Sequence, residues 1–491
     1  MPDDLISIID LGTGSIRNTL FNLKGDIVDF IQYENPFIYP RTGWVEQDTD
    51  HWWQILKDTF LGFPEKIRNL ISAISVTSQR EGIVPVNAAF KPLSNMIVWL
   101  DGRAGDEALE IETKLGKEKI YDICGLVPYP VWSLSKILWI KKHRPDIFHE
   151  TSKFLQAADY FISRLSNHAV SDFSMASRTC MLDVKEKKWS KEILGTFDLN
   201  ESTLPELVEP GTIIGKINPD VATEFILNPE VKIISGAGDQ QAAALGVGAI
   251  QQGVISIGIG TSSALSITLD KPLPSKNKDI ILNCTAVPGK WEYEPPIWNT
   301  GGLVKWFYEN ILDKKTSYKD ILQEVNTIPA GSEGLIILPY FTGSGSPRWN
   351  PELRGVIYGL TLEHNNKHIL KGIFESIAFE IRFNIDSIKD QVKVNKIILS
   401  GGASQNYPLC QTIADVLQVE VHISTEKEAS TKGCYILARA ALDKKNSIEE
   451  ISENLKTADT IISPNKKLKS TYDNLFRKYL ALGNLFDRNN A

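Results

Sequence analysis

The sequence predicts two similar α/β halves facing each other across a cleft. Three observations predict it. A strand, glycine-threonine bend, strand unit occurs twice, at Gly12 and again at Gly260, an offset of 248 residues in a chain of 491. A strand, glycine turn, helix unit also recurs, with Ser-Gly-Ala-Gly at 235–238 and Ser-Gly-Gly at 400–402. Stretches with apolar residues spaced for one helical face lie in both halves, at 48–60, 135–144, 370–392 and 431–442.

Each element follows from local chemistry. Residues 5–10 form an apolar run that reads as a buried strand. Gly12, Thr13, Gly14 and Ser15 are small, bend-forming residues, and a second apolar run follows at 16–23. The same order holds at 254–257, then Gly258, Gly260, Thr261, Ser262 and Ser263, then 264–268. The strand at 231–234 leads through its glycines into a helical run at 240–245, and the strand at 396–399 leads into one at 407–417. Such turns place helix N-termini beside anionic groups. The seam between the halves is expected at 245–252, around Gly246, Gly248 and Gly253, and a cleft at such a seam is a usual ligand site. The basic run at 466–469 reads as a solvated helix face.

Composition narrows the function. Sixty acidic and 53 basic side chains give a net charge of −7, which argues against a general nucleic-acid binder. Apolar residues make up 42% of the chain, enough for a globular core without staples. Cysteines 124, 180, 284, 410 and 434 are scattered, odd in number and form no CxxC pair, so isolated buried thiols are expected rather than disulfides or a zinc site. The start, MPDDLISIID, carries acids where a secretory signal needs bases, and no apolar run approaches a membrane span of about 18 residues. A soluble, cytoplasmic protein with no membrane insertion is expected.

Several residues could carry chemistry. A glycine-rich bend exposes backbone N–H groups that hold phosphate oxygens, and a Thr or Ser hydroxyl adds a donor. Two matching bends, one in each half, favour that function over simple hairpins. Asp10 ends the first strand and reads either as a turn former or as a carboxylate for Mg²⁺ bound to phosphates. Asp239 precedes Gln240 and a helix, and reads either as an N-cap or as a general base at the seam. Arg80 and Glu81 follow the strand at 74–77 and read as a surface ion pair or as a grip on two hydroxyls. Trp99, near Asp101, and Trp44 read as core or as a wall for a carbon chain.

The motifs, in order, are DLGTGSIR at 10–17, GWVEQD at 43–48, TSQREG at 77–82, VWLDGR at 98–103, SDFSMASRT at 171–179, GAGDQQAAALG at 236–246, GIGTSSAL at 258–265, PYFTGSGSPRWNPELRGVIYGLT at 339–361, LSGGASQN at 399–406 and EASTKGC at 428–434. With them the chain resembles the FGGY carbohydrate kinases over nearly its whole length. The resemblance implies an α/β fold of two ribonuclease-H-like, actin-like ATPase domains around a central cleft. These are an N-terminal domain, 1–247, with the sugar or polyol and the base, and a C-terminal domain, 248–491, with the nucleotide. It implies ATP and Mg²⁺ and a small polyol or ketose as partners, and a homodimer or homotetramer. By position it implies Asp239 as base and Asp10 near Mg²⁺. Arg80, Glu81, Trp99, Asp239 and Gln240 would face the acceptor. Thr13, Gly14, Ser15, Arg17, Gly260, Thr261, Gly302, Gly401, Gly402, Ala403 and Asn406 would lie along the nucleotide and its phosphates.

Within the family, Arg80, Glu81, Asp239 and Gln240, with FTGSGSPRW and SMASRT, look like the glycerol-kinase pattern. VWLDGR looks more like xylulokinases, and TGSIR and REGIV like kinases of the autoinducer-2 type, so glycerol stands narrowly ahead of a pentulose or a linear five-carbon polyol-ketone. Either Tyr129 or Trp132 stands near the place of a substrate-contacting tyrosine. Two other classes compete. A non-catalytic ATP- and sugar-binding regulator would be expected to lack Asp10 or Asp239, and both are present. A nuclease on this fold needs more clustered acids than these two.

Overall fold

The computed structural model describes residues 4–312, 317–443, 445–456 and 459–487. The outer ends of the two expected domains, 1–3 and 488–491, therefore lie outside the described residues.

Two sheets carry the fold. The first is built from β1 (Leu5–Leu11), β2 (Ser15–Asn22), β3 (Ile27–Glu34), β4 (Ile71–Ser78), β5 (Ile213–Lys216) and β6 (Lys232–Gly238), in the spatial order β5-β6-β4-β1-β2-β3. The hairpin pair β1 and β2 runs antiparallel, with Asp10 opposite Arg17, while β4 lies parallel to β1 and β6 parallel to β4. β1 is buried on both faces and is apolar along nearly its whole length, as a covered central strand must be. Only Asp10, at its end, is half-buried.

The second sheet contains β7 (Val254–Ile259), β8 (Ser263–Leu269), β9 (Leu282–Cys284), β10 (Trp291–Tyr293), β11 (Pro296–Ile297), β12 (Lys396–Ser400), β13 (Val421–Ile423) and β14 (Thr460–Ile462), in the order β9-β10-β8-β7-β12-β13-β14, with β11 also on β8. Here β7 and β8 form the antiparallel hairpin, β12 lies parallel to β7, and β13 parallel to β12. The two sheets thus repeat one topology.

The repeat corrects one sequence pairing. The strand at 396–400 sits beside β7 as β4 sits beside β1, so its counterpart is the strand before Arg80, not the strand before Asp239. The counterpart of β6 is β13. Strand, glycine turn and helix look alike at either sheet position, and only the pairing distinguishes them.

The helices that matter for the site are α1 (Thr49–Gly62), α2 (Ser133–His143), α3 (Asp239–Gly246), α4 (Gly301–Asn310), α5 (Asn366–Ile388), α6 (Tyr407–Leu417), α7 (Ala429–Leu442) and α8 (Lys469–Phe486). Asp48 caps α1 by accepting from the N–H groups of Asp50 and His51. The basic run at 466–468 is a 3₁₀ turn that leads into α8.

α3 and α7 follow the corresponding strands β6 and β13, and they pack on each other between the sheets. α7 also lies on β1, β4 and β6, while α3 reaches β7 and β8. Two glycines permit the close crossing. A Cβ at Gly246 would overlap the carbonyl of Ala429, and one at Gly433 the carbonyl of Ala242. The five cysteines are free and buried, as expected, but two are not isolated: the Sγ atoms of Cys124 and Cys180 stand 3.6 Å apart. Their sequence separation hid this contact, which the second half of the first domain makes by folding back on itself.

Gly433→Ala should destabilise the protein by about 2 kcal/mol or more, within the range for overpacking against an element that cannot yield. Gly105→Ala, where a Cβ meets nothing within 4 Å, is the control. Urea unfolding of the two variants checks this, and equal midpoints would refute the tight crossing.

Candidate active site

The first bend is braced from behind. The Gly12 N–H donates to Ser15 O at 2.9 Å, the Asn35 N–H to Gly14 O at 3.0 Å, and Gln47 Nε2 to Thr13 O at 2.8 Å. Its carbonyls are thereby engaged, and Gly14 stays exposed at the tip. Trp99, half-buried, donates its indole N–H to Thr13 Oγ1 at 3.3 Å, so this sequence candidate does lie at the bend. Trp44 does not: it packs edge-on to Trp139 with the Arg103 guanidinium 3.9 Å over its ring.

The second bend packs against two other turns. The Gly301 N–H donates to Gly260 O at 2.9 Å, and the Gly302 N–H to Thr261 O at 2.9 Å. The start of α4 therefore rests against the bend. A Cβ at Gly301 would overlap the Gly260 carbonyl, and it would lie 3.6 Å from the Ala403 methyl. Gly401 has φ +86°, and a Cβ there would press on Ile259 O at 2.9 Å. Gly260, Thr261, Gly302, Gly401 and Ala403 are thus brought together, with Gly402 open beside them. Asn406 plays a structural part as well, its side chain capping α6 by accepting from the Leu409 N–H at 3.1 Å.

Asp239 opens α3 directly after β6. Its side chain is 26% exposed, so a ligand can reach it. On one side the charge of Asp10 acts on it. On the other, its neighbour Gln240 brings Oε1 beside Gly258, at the foot of the second bend. Arg80 Nε stands 3.1 Å from Asp239 Oδ1 as an ion pair. Glu81, in a left-handed conformation with φ +67°, accepts from Arg178 Nε at 2.6 Å. Asp10 accepts from Ser430 Oγ at 2.7 Å. Arg17 lies opposite Asp10 in the strand register, and its guanidinium is engaged by Glu428, by Gln32 at 2.7 Å and by the Phe30 ring.

Burial sets the protonation of these groups. It raises the Asp239 carboxyl to about 6, with Arg80 opposing and the charges of Asp10 and Glu81 reinforcing. Burial also raises Asp10, against the hydrogen bond from Ser430. Arg80 stays charged: burial disfavours its cation, but Glu294, Glu81 and Asp239 outweigh that.

The structure adds residues that the motifs did not single out for a role. Arg178 was legible only as part of SMASRT. Gln241, Glu292 and Glu294 join Arg80 in one buried network, with Arg80 Nη1 2.8 Å from Glu294 Oε2. The signal for the two glutamates was in the sequence: Glu292 and Glu294 alternate around Tyr293, which puts two acids on one face of a buried strand and its exit. Lys136 on α2 is fully buried, and its amine donates to the carbonyls of Val131 and, at 3.4 Å, Glu81. It ties the Arg80–Glu81 turn to the loop that carries Tyr129. Tyr129 is half-buried between Trp298 and Trp349, with ring centroids 6.0 and 5.9 Å away. Trp132 is core, with its indole N–H on Val127 O at 2.6 Å and Arg178 over its ring.

Comparison with known protein families decides the membership. The model of the FGGY carbohydrate kinase N-terminal domain matches residues 5–246, and that of the C-terminal domain matches 255–442. The chain belongs to the FGGY family of carbohydrate kinases. It is similar to a glycerol kinase of Thermococcus kodakarensis, at 32% identity over 96% of this chain and 94% of that one. It is similar to a xylulose kinase of Lactococcus lactis, at 29% identity over the same shares. Among solved structures it is similar to a gluconate kinase from Lactobacillus acidophilus, with a TM-score of 0.93, 27% identity and 99% of both chains covered. The protein is therefore an ATP-dependent carbohydrate kinase with the two-domain, actin-like fold of this family.

An FGGY kinase handles phosphates, and the residues present fit a phosphate-bound Mg²⁺. Among the described residues no group of three or more His, Cys, Asp or Glu is placed to hold a metal alone. A Mg²⁺ on nucleotide phosphates needs only one or two carboxylates, since it keeps its waters. Asp10, half-buried near the end of β1, offers one such carboxylate, and a bound cation would favour the charge that burial disfavours. No helix among the described residues is long and apolar enough to cross a membrane.

Burial lowers Lys136 from 10.5 to about 7, so the unfolded chain binds the extra proton more readily than the fold does. Stability should therefore rise with pH between about 7 and 10 through this group. In Lys136→Met that rise should be missing, as read from thermal melting across the range. The same slope in both proteins would refute the assignment.

Proposed function

We propose that this kinase transfers the γ-phosphoryl group of ATP to a hydroxyl of a small polyol or ketose, with Asp239 as the general base. The carrying observation is the Asp239 carboxylate itself: reachable, paired with Arg80, within the field of Asp10, and next to Gln240, whose Oε1 lies beside Gly258. A hydroxyl attacking phosphorus sheds its proton as the bond forms, and a carboxylate with a pKa near 6 is ionised at neutral pH yet basic enough to take it. Arg80 and Glu81 orient the acceptor. The bend at 12–14 and the turns at Gly260, Thr261, Gly302 and Gly401 face phosphate oxygens. The Thr13, Gly14 and Thr261 N–H groups and the two threonine hydroxyls are the donors, since the N–H groups of Gly12, Gly260 and Gly302 are spent within the turns. Asp10 would hold Mg²⁺, which when bound offsets phosphate charge. Positioning and electrostatics supply most of the acceleration.

Glycerol is the acceptor we favour, on the Arg80–Glu81 pair, FTGSGSPRW and SMASRT. A five-carbon ketose is the second reading, favoured by VWLDGR and by the likeness to a xylulose kinase. The five buried, free cysteines suit a reducing cytoplasm, and we infer a homodimer or homotetramer there. A coupled ADP-release screen over glycerol, erythritol, xylulose, ribulose, ribitol and gluconate tests the acceptor. Glycerol should give the highest kcat/KM, and a ketose at the head of the ranking would replace it. Binding of ATP and polyol with no ADP release from any acceptor would favour the regulator instead.

Asp239→Asn should lower kcat by about 10²–10⁴-fold, the usual contribution of a positioned base. In the wild type, kcat/KM should fall below a pH of about 6, where the carboxylate takes up its proton. Near-wild-type turnover in Asp239→Asn, or a flat profile between pH 5 and 7, would refute the base.

A further inference from the structure

Glu294 stands just past β10, in the half opposite Asp239, and is 2% exposed. Its Oε2 gathers donors from both halves. From the first come Arg80 Nη1 at 2.8 Å, Arg178 Nη1 at 3.2 Å and Gln241 Nε2 at 2.9 Å, and from the second Asn283 Nδ2 at 2.6 Å. Each arginine uses its other edge on a carboxylate of the acceptor side. Arg80 Nε faces Asp239 Oδ1 at 3.1 Å, and Arg178 Nε donates to Glu81 Oε1 at 2.6 Å. The result is an unbroken chain of alternating charge, Asp239–Arg80–Glu294–Arg178–Glu81. Its middle member comes from the nucleotide-side half, and its two ends are the base and one of the two acceptor-gripping residues.

We propose that Glu294 is a positioning residue for the phosphoryl transfer, fixing the Arg80 guanidinium against Asp239 and the Arg178 guanidinium against Glu81. The proposal rests on the reading of Asp239 as base. It follows from the geometry of guanidinium groups, which are planar, rigid forks with two usable edges. Without that carboxylate, Arg178 keeps Glu81 and Arg80 keeps Asp239 and the neutral Gln241 Oε1, so both buried forks can turn from their seats and the acceptor side loses its registration. Glu292, two residues earlier on the same face, does not share this part. It accepts from Gln241 Nε2 at 2.6 Å and from Ser266 Oγ, and no hydrogen bond from either arginine reaches it among the described residues. Burial and the neighbouring Glu294 push its carboxyl up to about 8, so it stays neutral while Glu294 carries the charge. Burial opposes ionisation of Glu294 too, but Arg178 and Arg80 outweigh it and hold the carboxyl below its ordinary value.

The test compares Glu294→Gln, Glu294→Asp and Glu375→Gln with the wild type, using the best acceptor from the screen; Glu375 is a buried glutamate on α5 that accepts from Gly331, Ser332 and Tyr472, outside this network. Glu294→Gln should lower kcat/KM for the acceptor by about 10²-fold, the scale of an ångström-sized misplacement. The KM for ATP should stay within about threefold. Glu294→Asp keeps the charge and should recover part of the loss. Glu375→Gln should match the wild type. A destabilised but otherwise normal fold would lower melting temperature without this split between acceptor and ATP. Wild-type acceptor kinetics in Glu294→Gln, equal losses for acceptor and ATP, or an equal loss in Glu375→Gln would each overturn the proposal. If Glu294→Gln fails to fold, Glu294→Asp decides alone: a selective acceptor-side loss supports it and wild-type kinetics overturn it. Asp239→Asn separates the two readings. Full activity there removes both, whereas an inactive Asp239→Asn beside a normal Glu294→Gln removes only the positioning role.

Discussion

The Asp239–Arg80 ion pair is the interaction on which the site depends. A base for an alcohol proton must be dry enough to be basic and still ionised at neutral pH. Burial alone would push a carboxylate too far toward its protonated form, and a fully solvated one would be a weak base. Arg80 offsets part of the burial, and the charges of Asp10 and Glu81 limit how far it can do so. The balance needs the guanidinium in one place. The fold supplies that by enclosing Arg80 among Gln241, Glu294 and Asp239.

The enclosure in turn depends on how the halves meet. α3 and α7 occupy matching places after β6 and β13, and they touch backbone to backbone through Gly246 and Gly433. That contact brings the start of each helix to the bend region. α3 opens with Asp239. α7 is preceded by Glu428, which pairs with Arg17, and carries Ser430, which donates to Asp10. Two helix starts of the same topology therefore serve one centre with different groups: the carboxylate we propose as base from one, and the partners of Arg17 and Asp10 from the other. Strand β4 ties in beside them, with Thr77 Oγ1 donating to Ala237 O at 2.8 Å just ahead of the Arg80 turn.

Much of this was legible in the sequence, for identifiable reasons. The bends at 12–15 and 260–263 declare themselves because small residues interrupt apolar runs, and the structure places both as hairpins. Helix positions followed from apolar spacing to within a few residues. What sequence could not give was pairing across the chain. The strand at 396–400 looked like the partner of β6 because local pattern carries no information on which neighbour a parallel strand chooses. Arg178 meets Glu81 across 97 residues, and Arg80 meets Glu294 across 214. No periodicity reports such contacts. Glu292 and Glu294 could still have been suspected, since two acids on one face of an otherwise apolar strand demand a buried counter-charge.

The network also shows which part of the site works against the fold. Glu292 is fully buried with a carboxyl raised from 4.5 to about 8. The unfolded chain would release that proton near pH 4.5, while the fold retains it until about 8. Between those values the unfolded state gains from ionisation and the folded state does not, so native stability falls with rising pH, and the full deficit is present above 8. Asp239 behaves in the same way over the window from 3.8 to about 6. Neither group improves stability at neutral pH. Two extended apolar sheets, covered by long helices such as α5 with its nearly continuous buried face, provide the surplus that offsets these groups. The apolar core and the charged centre are thus one design problem: the larger the apolar surface enclosed, the more unfavourable ionisation the fold can hold in place for the chemistry of an alcohol.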